Sequence, residues 1–209
     1  MPDISSVDNK KALQVLDAAT SVFLTHGFSA ATTDMIQRKA RVSKSTMYAC
    51  FSNKEAMFAA VVERECSAMA STIKAIDTAP GNIAGMLTEI GMSYLNIVLS
   101  PSGLALYRVA VAEAPRFAEL GRLFYQAGPK IVTGLVIDRL NEALKSGEID
   151  VQSTGVEGAA ALFISMVRGE GQLEALTHPE SRPSVAQLEQ WVDRAVKVFL
   201  AAFAPGKNQ

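Results

Sequence analysis

The chain reads as an all-α protein. Its long segments repeat their apolar residues at helical rather than alternating spacing, and no Asn-Gly or Asp-Gly pair stands between alternating runs where a hairpin would turn. Proline and glycine fall between the periodic segments, where helices stop. The first helix is expected from about Asp8 to His26, with Leu13, Leu16, Thr20 and Phe23 on one face. Gly27 is its left-handed stop, after which Phe28 folds back on Phe23. Thr32 or Thr33 caps a second helix to about Ala40, and Ser43 caps a third to about Cys50. Ser52 with Glu55 spells a capping box that opens a long helix to about Ile76. A domain boundary is expected inside that helix, separating residues 1–60 from 61–209. The remainder predicts helices near Asn82 to Leu99, Gly103 to Ala114, Arg116 to Gln126, Lys130 to Ser146, Gly155 to Thr177 and Val185 to Phe203. Pro101, Pro115, Pro129, Gly147 and Pro183 mark their ends, and Thr154 with Glu157 and Ser184 with Gln187 form further capping boxes.

At 209 residues, 49% hydrophobic and 20% charged, the composition is globular and ample for two helical domains. Apolar stretches such as Ala159 to Val167 fall short of the roughly 20 residues a membrane span needs, so no membrane partner is expected. The N-terminal stretch lacks the apolar segment of a secretory signal, and the expected compartment is the cytoplasm. Cys50 and Cys66 have no metal-site spacing and read as free thiols. His26 and His178 stand alone and read as structural. No metal or cofactor is expected.

A net charge of −1 argues at first against a nucleic-acid partner. The distribution reverses that argument. Between Thr33 and Lys54, Arg38, Lys39, Arg41, Lys44 and Lys54 face the single acid Asp34, a local charge of +4, whereas the chain from Glu65 onward carries −3. A basic patch on a mildly acidic protein suits a selective DNA binder, although a solvated basic face has the same charge pattern.

That window lies inside TTDMIQRKARVSKSTMYACFSNKEAMF, Thr32 to Phe58. Residues three and four apart on a helix share a face. Val42, Met47 and Phe51 can therefore turn inward against Ile36, leaving Lys44, Ser45, Tyr48 and Ala49 on a small, polar outer face. A helix this short needs packing to persist, and a helix-turn-helix uses such a helix to enter the major groove. Ser43 and Thr46 can donate to phosphates or bases, Lys44 supplies charge, and Tyr48 a hydroxyl on a rigid ring. Lys54 can meet a phosphate beside the amides that open the long helix. Spacing alone equally fits an ordinary pair of short bundle helices.

The same segment resembles the DNA-binding domain of the TetR family, whose pattern runs roughly TTxxxIAxxAGVSxGTxYxxFxxKExL. Thr32, Ile36, Ala40, Val42, Ser43, Thr46, Tyr48, Phe51, Lys54 and Glu55 fall in register. The resemblance implies an N-terminal helix-turn-helix, three-helix domain joined by a long helix to a C-terminal effector-binding and dimerisation domain. It implies a repressor released from a palindromic operator by a small molecule, with Thr32, Ser43, Lys44, Thr46, Tyr48 and Lys54 at the DNA; Thr33 and Ser45, adjacent to these, complete the candidate DNA-binding set. Three positions depart from the pattern. Arg41 replaces the turn glycine, so a left-handed backbone there would be strained. Ser45 replaces a frequent glycine, and Cys50 an aromatic residue or His. Farther on, LYRVAVAEAPRFAELGRLFYQAGP, Leu106 to Pro129, resembles the C-terminal domain of the AefR-like branch, which implies a second copy of the chain and an unspecified effector as partners, beside the double-stranded operator DNA implied by the helix-turn-helix.

Apolar stripes on the last two helices predict a homodimer interface at Leu162, Phe163, Met166, Leu188, Trp191, Val192 and Phe199, although the same stripes could serve one monomer's core. Met86, Tyr94, Arg108, Phe117, Tyr125, Met166 and Arg168 are the candidate lining of a pocket for an apolar or amphipathic effector. Glu170 adds a charge nearby, and plain core remains the alternative. An enzyme is the rival class, but no GxSxG, GxGxxG, HExxH or P-loop pattern occurs. A helical adaptor would leave the basic window unexplained.

Overall fold

A computed structural model describes residues 4–76, 81–178, 180 and 182–206, with side chains outside 4–9, 68–70 and 170. Pro101 and Pro129, expected as stops, instead open helices: the ten described helices are α1 (Ile4–Ala30), α2 (Thr33–Ala40), α3 (Lys44–Cys50), α4 (Lys54–Lys74), α5 (Ile83–Val98), α6 (Pro101–Glu113), α7 (Ala118–Ala127), α8 (Pro129–Lys145), α9 (Gly155–Thr177) and α10 (Val185–Ala202). No strand occurs among the described residues. Proline fits a first helical position because its missing N–H would have had no partner there. The Ser100 hydroxyl accepts from the Gly103 amide at 3.0 Å ahead of α6.

The local signals were partly right. Thr32 caps α2 and Ser43 caps α3, each hydroxyl accepting from the amide three residues on. The capping box at Ser184 and Gln187 forms in full. At α4 the cap is Asn53, not Ser52, with Oδ1 accepting from the Ala56 amide at 2.7 Å. Thr154 makes no cap; its hydroxyl donates to the Gly155 carbonyl. Gly27, at φ 75° and ψ 171°, kinks α1 and lets one more turn run on to Ala30. Phe28 does fold back on Phe23, with ring centroids 5.6 Å apart.

The chain divides into two compact units: residues 1–66 with 105–128, and residues 67–104 with 129–209. The first unit buries Val15, Ala19, Phe23, Phe28, Ile36, Met47, Phe58 and Val62, with Leu106 and Leu120 from the later segment. Phe23, Phe28 and Phe58 meet at 5.4 to 5.6 Å, at the spacing aromatic pairs favour. Cys66 is buried here and free; burial, with some contribution from Glu65, pushes its thiol up to about 11.

The second unit packs α5, α8, α9 and α10 around Leu87, Ile90, Leu95, Val136, Leu140, Phe163, Val192 and Phe199. Close approach depends on small residues. A Cβ on Gly91 of α5 would stand 2.8 Å from Val192 of α10, and one on Gly171 of α9 only 2.2 Å from the Trp191 ring. Helix α9 is broken at Gly169, whose φ of 40° and ψ of −146° lie outside the helical region. No single described helix is long and apolar enough to cross a membrane.

Candidate nucleic-acid interface

Two short helices and a tight turn build the candidate interface. Ile36 and Ala40 anchor α2 and Met47 anchors α3, all buried against α1 in the first unit. Between them the chain turns at Arg41, with φ 53° and ψ 40°, the one non-glycine residue at positive φ among those described. The family glycine would enter this left-handed region without strain, whereas an arginine does not. Gln37 supports the turn from behind, donating to the Val42 carbonyl at 2.6 Å.

The helical spacing of α3 sorts its side chains as expected. Val42 and Phe51 pack partly buried on the core, while Lys44, Ser45, Tyr48 and Ala49 are exposed. Tyr48 donates to the Thr33 hydroxyl at 3.3 Å, linking α3 to the start of α2. Ser43 lies within hydrogen-bond distance of the hydroxyls of Ser45 and Thr46, at 2.8 and 2.7 Å. Thr32, Thr33, Ser43, Lys44, Ser45, Thr46 and Tyr48 therefore occupy one neighbourhood, though two of their hydroxyls already serve as helix caps. Lys44 donates to Asp34 Oδ1 at 3.0 Å, and that hydrogen bond, with the carboxylate's charge, raises the ammonium above its ordinary value.

Lys54 stands apart from these. Its ammonium donates to the carbonyls of Phe28 and Ala31 at 2.9 and 3.1 Å and lies 4.3 Å from the Phe28 ring centroid. Two of its three donors thus tie down the last turn of α1 and the link to α2. The same segment is held from another side by Glu113, a residue of the AefR-like stretch from Leu106 to Pro129 that is not among the candidate site residues. The buried Glu113 carboxylate accepts from the Ser29 amide at 2.7 Å and the Ser29 hydroxyl at 2.5 Å. Burial alone would raise this carboxyl, but the Ser29 hydrogen bonds, with Arg116 and Lys54, hold it below the usual range. Phe117 closes the group, its ring 5.2 Å from that of Phe28.

The candidate pocket residues are divided between the two units. Phe117 belongs to the core around Phe28, and Tyr125 is 60% exposed in the same unit. Arg108 is half-buried, also in that unit. Met86 and Tyr94 are buried on α5 in the second unit. Met166 and Arg168 do share an open groove of about 420 Å³ between α9 and α10, with Trp191, Arg194 and Val198. The side chain of Glu170 lies outside the described ones.

The candidate dimer residues divide between core and surface. Phe163, Leu188, Val192 and Phe199 are buried within the second unit itself, where α5 packs on α9 and α10 and α8 packs on α9. The large apolar side chains left exposed on α9 and α10 among the described residues are Leu162, Leu173, Val185 and Val198, with Met166 and Trp191 half-buried.

Comparison with known proteins agrees with this architecture. Residues 15–61 match the bacterial regulatory proteins of the tetR family, and residues 85–205 match the AefR-like transcriptional repressor C-terminal domain. Among solved structures, a chain described as a TetR-family transcriptional regulator from Mesorhizobium loti is 26% identical at a TM-score of 0.85, over 94% of this chain and 98% of that one. The flavonoid-responsive regulator FrrA is 31% identical at a TM-score of 0.81, over 95% of this chain and 99% of its own. An uncharacterised HTH-type transcriptional regulator of Bacillus subtilis, YhgD, is 43% identical over 53 residues, which span 25% of this chain and 27% of that protein. With the helix-turn-helix at its N-terminus and the AefR-like domain covering more than half its length, the chain belongs to the TetR family of DNA-binding transcriptional regulators.

Proposed function

We propose that the protein is a homodimeric repressor that leaves a palindromic operator when an apolar or amphipathic small molecule binds its C-terminal domain. In this reading residues 1–60 contact DNA and residues 61–209 bind the effector and the second copy. The observation that carries it is α3: buried Met47 fixes the helix, while Lys44, Ser45 and Tyr48 stand exposed on its far side with Thr32 and Thr33 close by. Lys54 acts in this scheme chiefly by positioning the α1–α2 segment, with one donor left for a phosphate.

Pairing is assigned to the exposed face of α9 and α10, where Leu162, Leu173 and Val198 are each about half exposed or more. Apolar side chains grouped on one helical face favour a covering partner, and a second copy presents the same face. Likeness to FrrA, a flavonoid-responsive regulator, supports planar phenolic compounds as the first effector class to try.

Footprinting of the DNA upstream of the protein's own reading frame, with and without a flavonoid, tests the proposal. The expected result is protection with a dyad, half-site centres about 34 to 36 Å apart or a multiple of that, and release by the ligand. A footprint without a dyad, or a monomer in light scattering, contradicts it.

A further inference from the structure

The DNA-facing side of α2 and α3 carries one acid within its basic window, and that acid is not idle. Asp34 lies in the first turn of α2, ten residues before Lys44 in the first turn of α3, and the two side chains meet at 3.0 Å across the turn. Both remain about 60% exposed, so the pair stands at the surface rather than in the core. An exposed ion pair of this kind adds little to folding stability. Its placement matters more, because Lys44 is the charged side chain on the outer face of α3.

We propose that Asp34 is a specificity-determining residue of the DNA interface, acting through Lys44 as a positioning residue. The proposal rests on the reading that the outer face of α3 meets DNA. A lysine ammonium is a compact charge on a flexible four-carbon stem, with three donors and no fixed geometry of its own. Asp34 takes one donor and leaves two, enough for the O6 and N7 acceptors of a guanine edge. Holding the ammonium in place before DNA arrives lowers the ordering cost of a directed base contact.

On random sequence the same carboxylate has the opposite effect. Non-specific binding is almost wholly a matter of phosphate charge. There Asp34 competes with the phosphates for Lys44 and cancels its charge. One side chain therefore supports the directed contact and penalises the undirected one, and the operator-to-random ratio rises from both sides.

The test uses the full-length chain and fluorescence anisotropy on two duplexes: the footprinted operator and a shuffled duplex of equal length and composition. Salt is varied from about 50 to 200 mM. Asp34→Asn is expected to bind the shuffled duplex about two- to tenfold more tightly at the low-salt end. Its salt slope should steepen by up to about 0.9, one phosphate's worth. The operator gains less or loses affinity, so the ratio falls. Asp34→Glu, which keeps the charge, is expected to retain most of the parent ratio. In a Lys44→Ala background, Asp34→Asn should leave the ratio unchanged. A ratio that stays constant or rises in Asp34→Asn overturns the proposal, as does an equal effect with Lys44 removed. If Lys44→Ala alone binds both duplexes like the parent, the DNA-facing reading of α3 fails with it; if Lys44→Ala weakens binding while Asp34→Asn leaves the ratio intact, only the role of Asp34 is lost.

Discussion

Glu113 and Tyr48 illustrate two ways a single side chain can serve the DNA-reading unit. Glu113 belongs to α6 rather than α3, and its carboxylate receives both the amide and the hydroxyl of Ser29, just before the start of α2. Replacing it with Gln leaves a poorer acceptor in a buried place, which should cost about 1 to 3 kcal/mol at neutral pH in urea unfolding. The acid side of the profile gives a second check. Its folded value lies below that of an unfolded glutamate, about 4.3. The ionised form therefore contributes its full stabilisation above that pH, and the contribution is lost as pH falls through the lowered folded value. Between neutral pH and that range the parent should lose stability more steeply than Glu113→Gln. Parallel profiles would remove Glu113 from this role. Tyr48 is the converse case. At 41% exposure it contributes little to the core, so Tyr48→Ala should keep the parent's melting temperature. It should also lose about 1 to 3 kcal/mol of operator binding, the usual worth of a base contact. Parental affinity in a gel shift would take Tyr48 out of the interface.

For the helices, legibility tracked the range of the interaction that decides each feature. Thr32, Ser43 and the Ser184–Gln187 box were readable because a cap is settled within three or four residues. The start of α4 was misplaced because Ser52 and Asn53 are adjacent and both cap well, so local chemistry does not separate them. Pro101 and Pro129 open helices rather than end them, and the position of a proline does not by itself say which side of a helix boundary it marks. Nothing local could reveal the pairing of Glu113 with Ser29, 84 residues apart. Nor could the stripes of α9 and α10 announce that α5 and α8 pack on them: apolar spacing shows that a face is buried, not what buries it. The passage of α9 beside α10 has its own determinant. Gly171 leaves room for Trp191, and Gly171→Ala would place a Cβ 2.2 Å from a ring carbon. An indole cannot retreat as a flexible chain end can, so the helices must part or Trp191 must turn. A loss of about 1 to 3 kcal/mol is expected, with a shifted Trp191 emission. An unchanged spectrum and melting temperature would show that the contact yields freely.

At the scale of the whole molecule, α4 and α6 are the helices that supply residues to both units. The segment from residue 105 to 128, inside the AefR-like match, packs with the N-terminal helices and places Glu113 and Phe117 on the α1–α2 connection. An effector that changed the state of α6 would therefore act on the segment leading into α2, through contacts already in place. Such a ligand shifts the balance between operator-competent and released states only by its difference in affinity for the two. Couplings of this kind are typically about 1 to 3 kcal/mol, equivalent to a 5- to 150-fold loss of operator affinity. Because coupling is reciprocal, saturating operator must weaken the ligand by the same factor. Titrating a flavonoid by calorimetry with and without the footprinted duplex measures both directions. Equal ligand affinity in the two titrations would mean that the compound, however tightly held, does not release the protein from DNA. Glu113→Gln extends the test, since a coupling carried by the Ser29 contact should shrink in that variant while ligand affinity in the absence of DNA stays near the parent's. Full coupling in Glu113→Gln would move the route to α4, the other helix that the two units share.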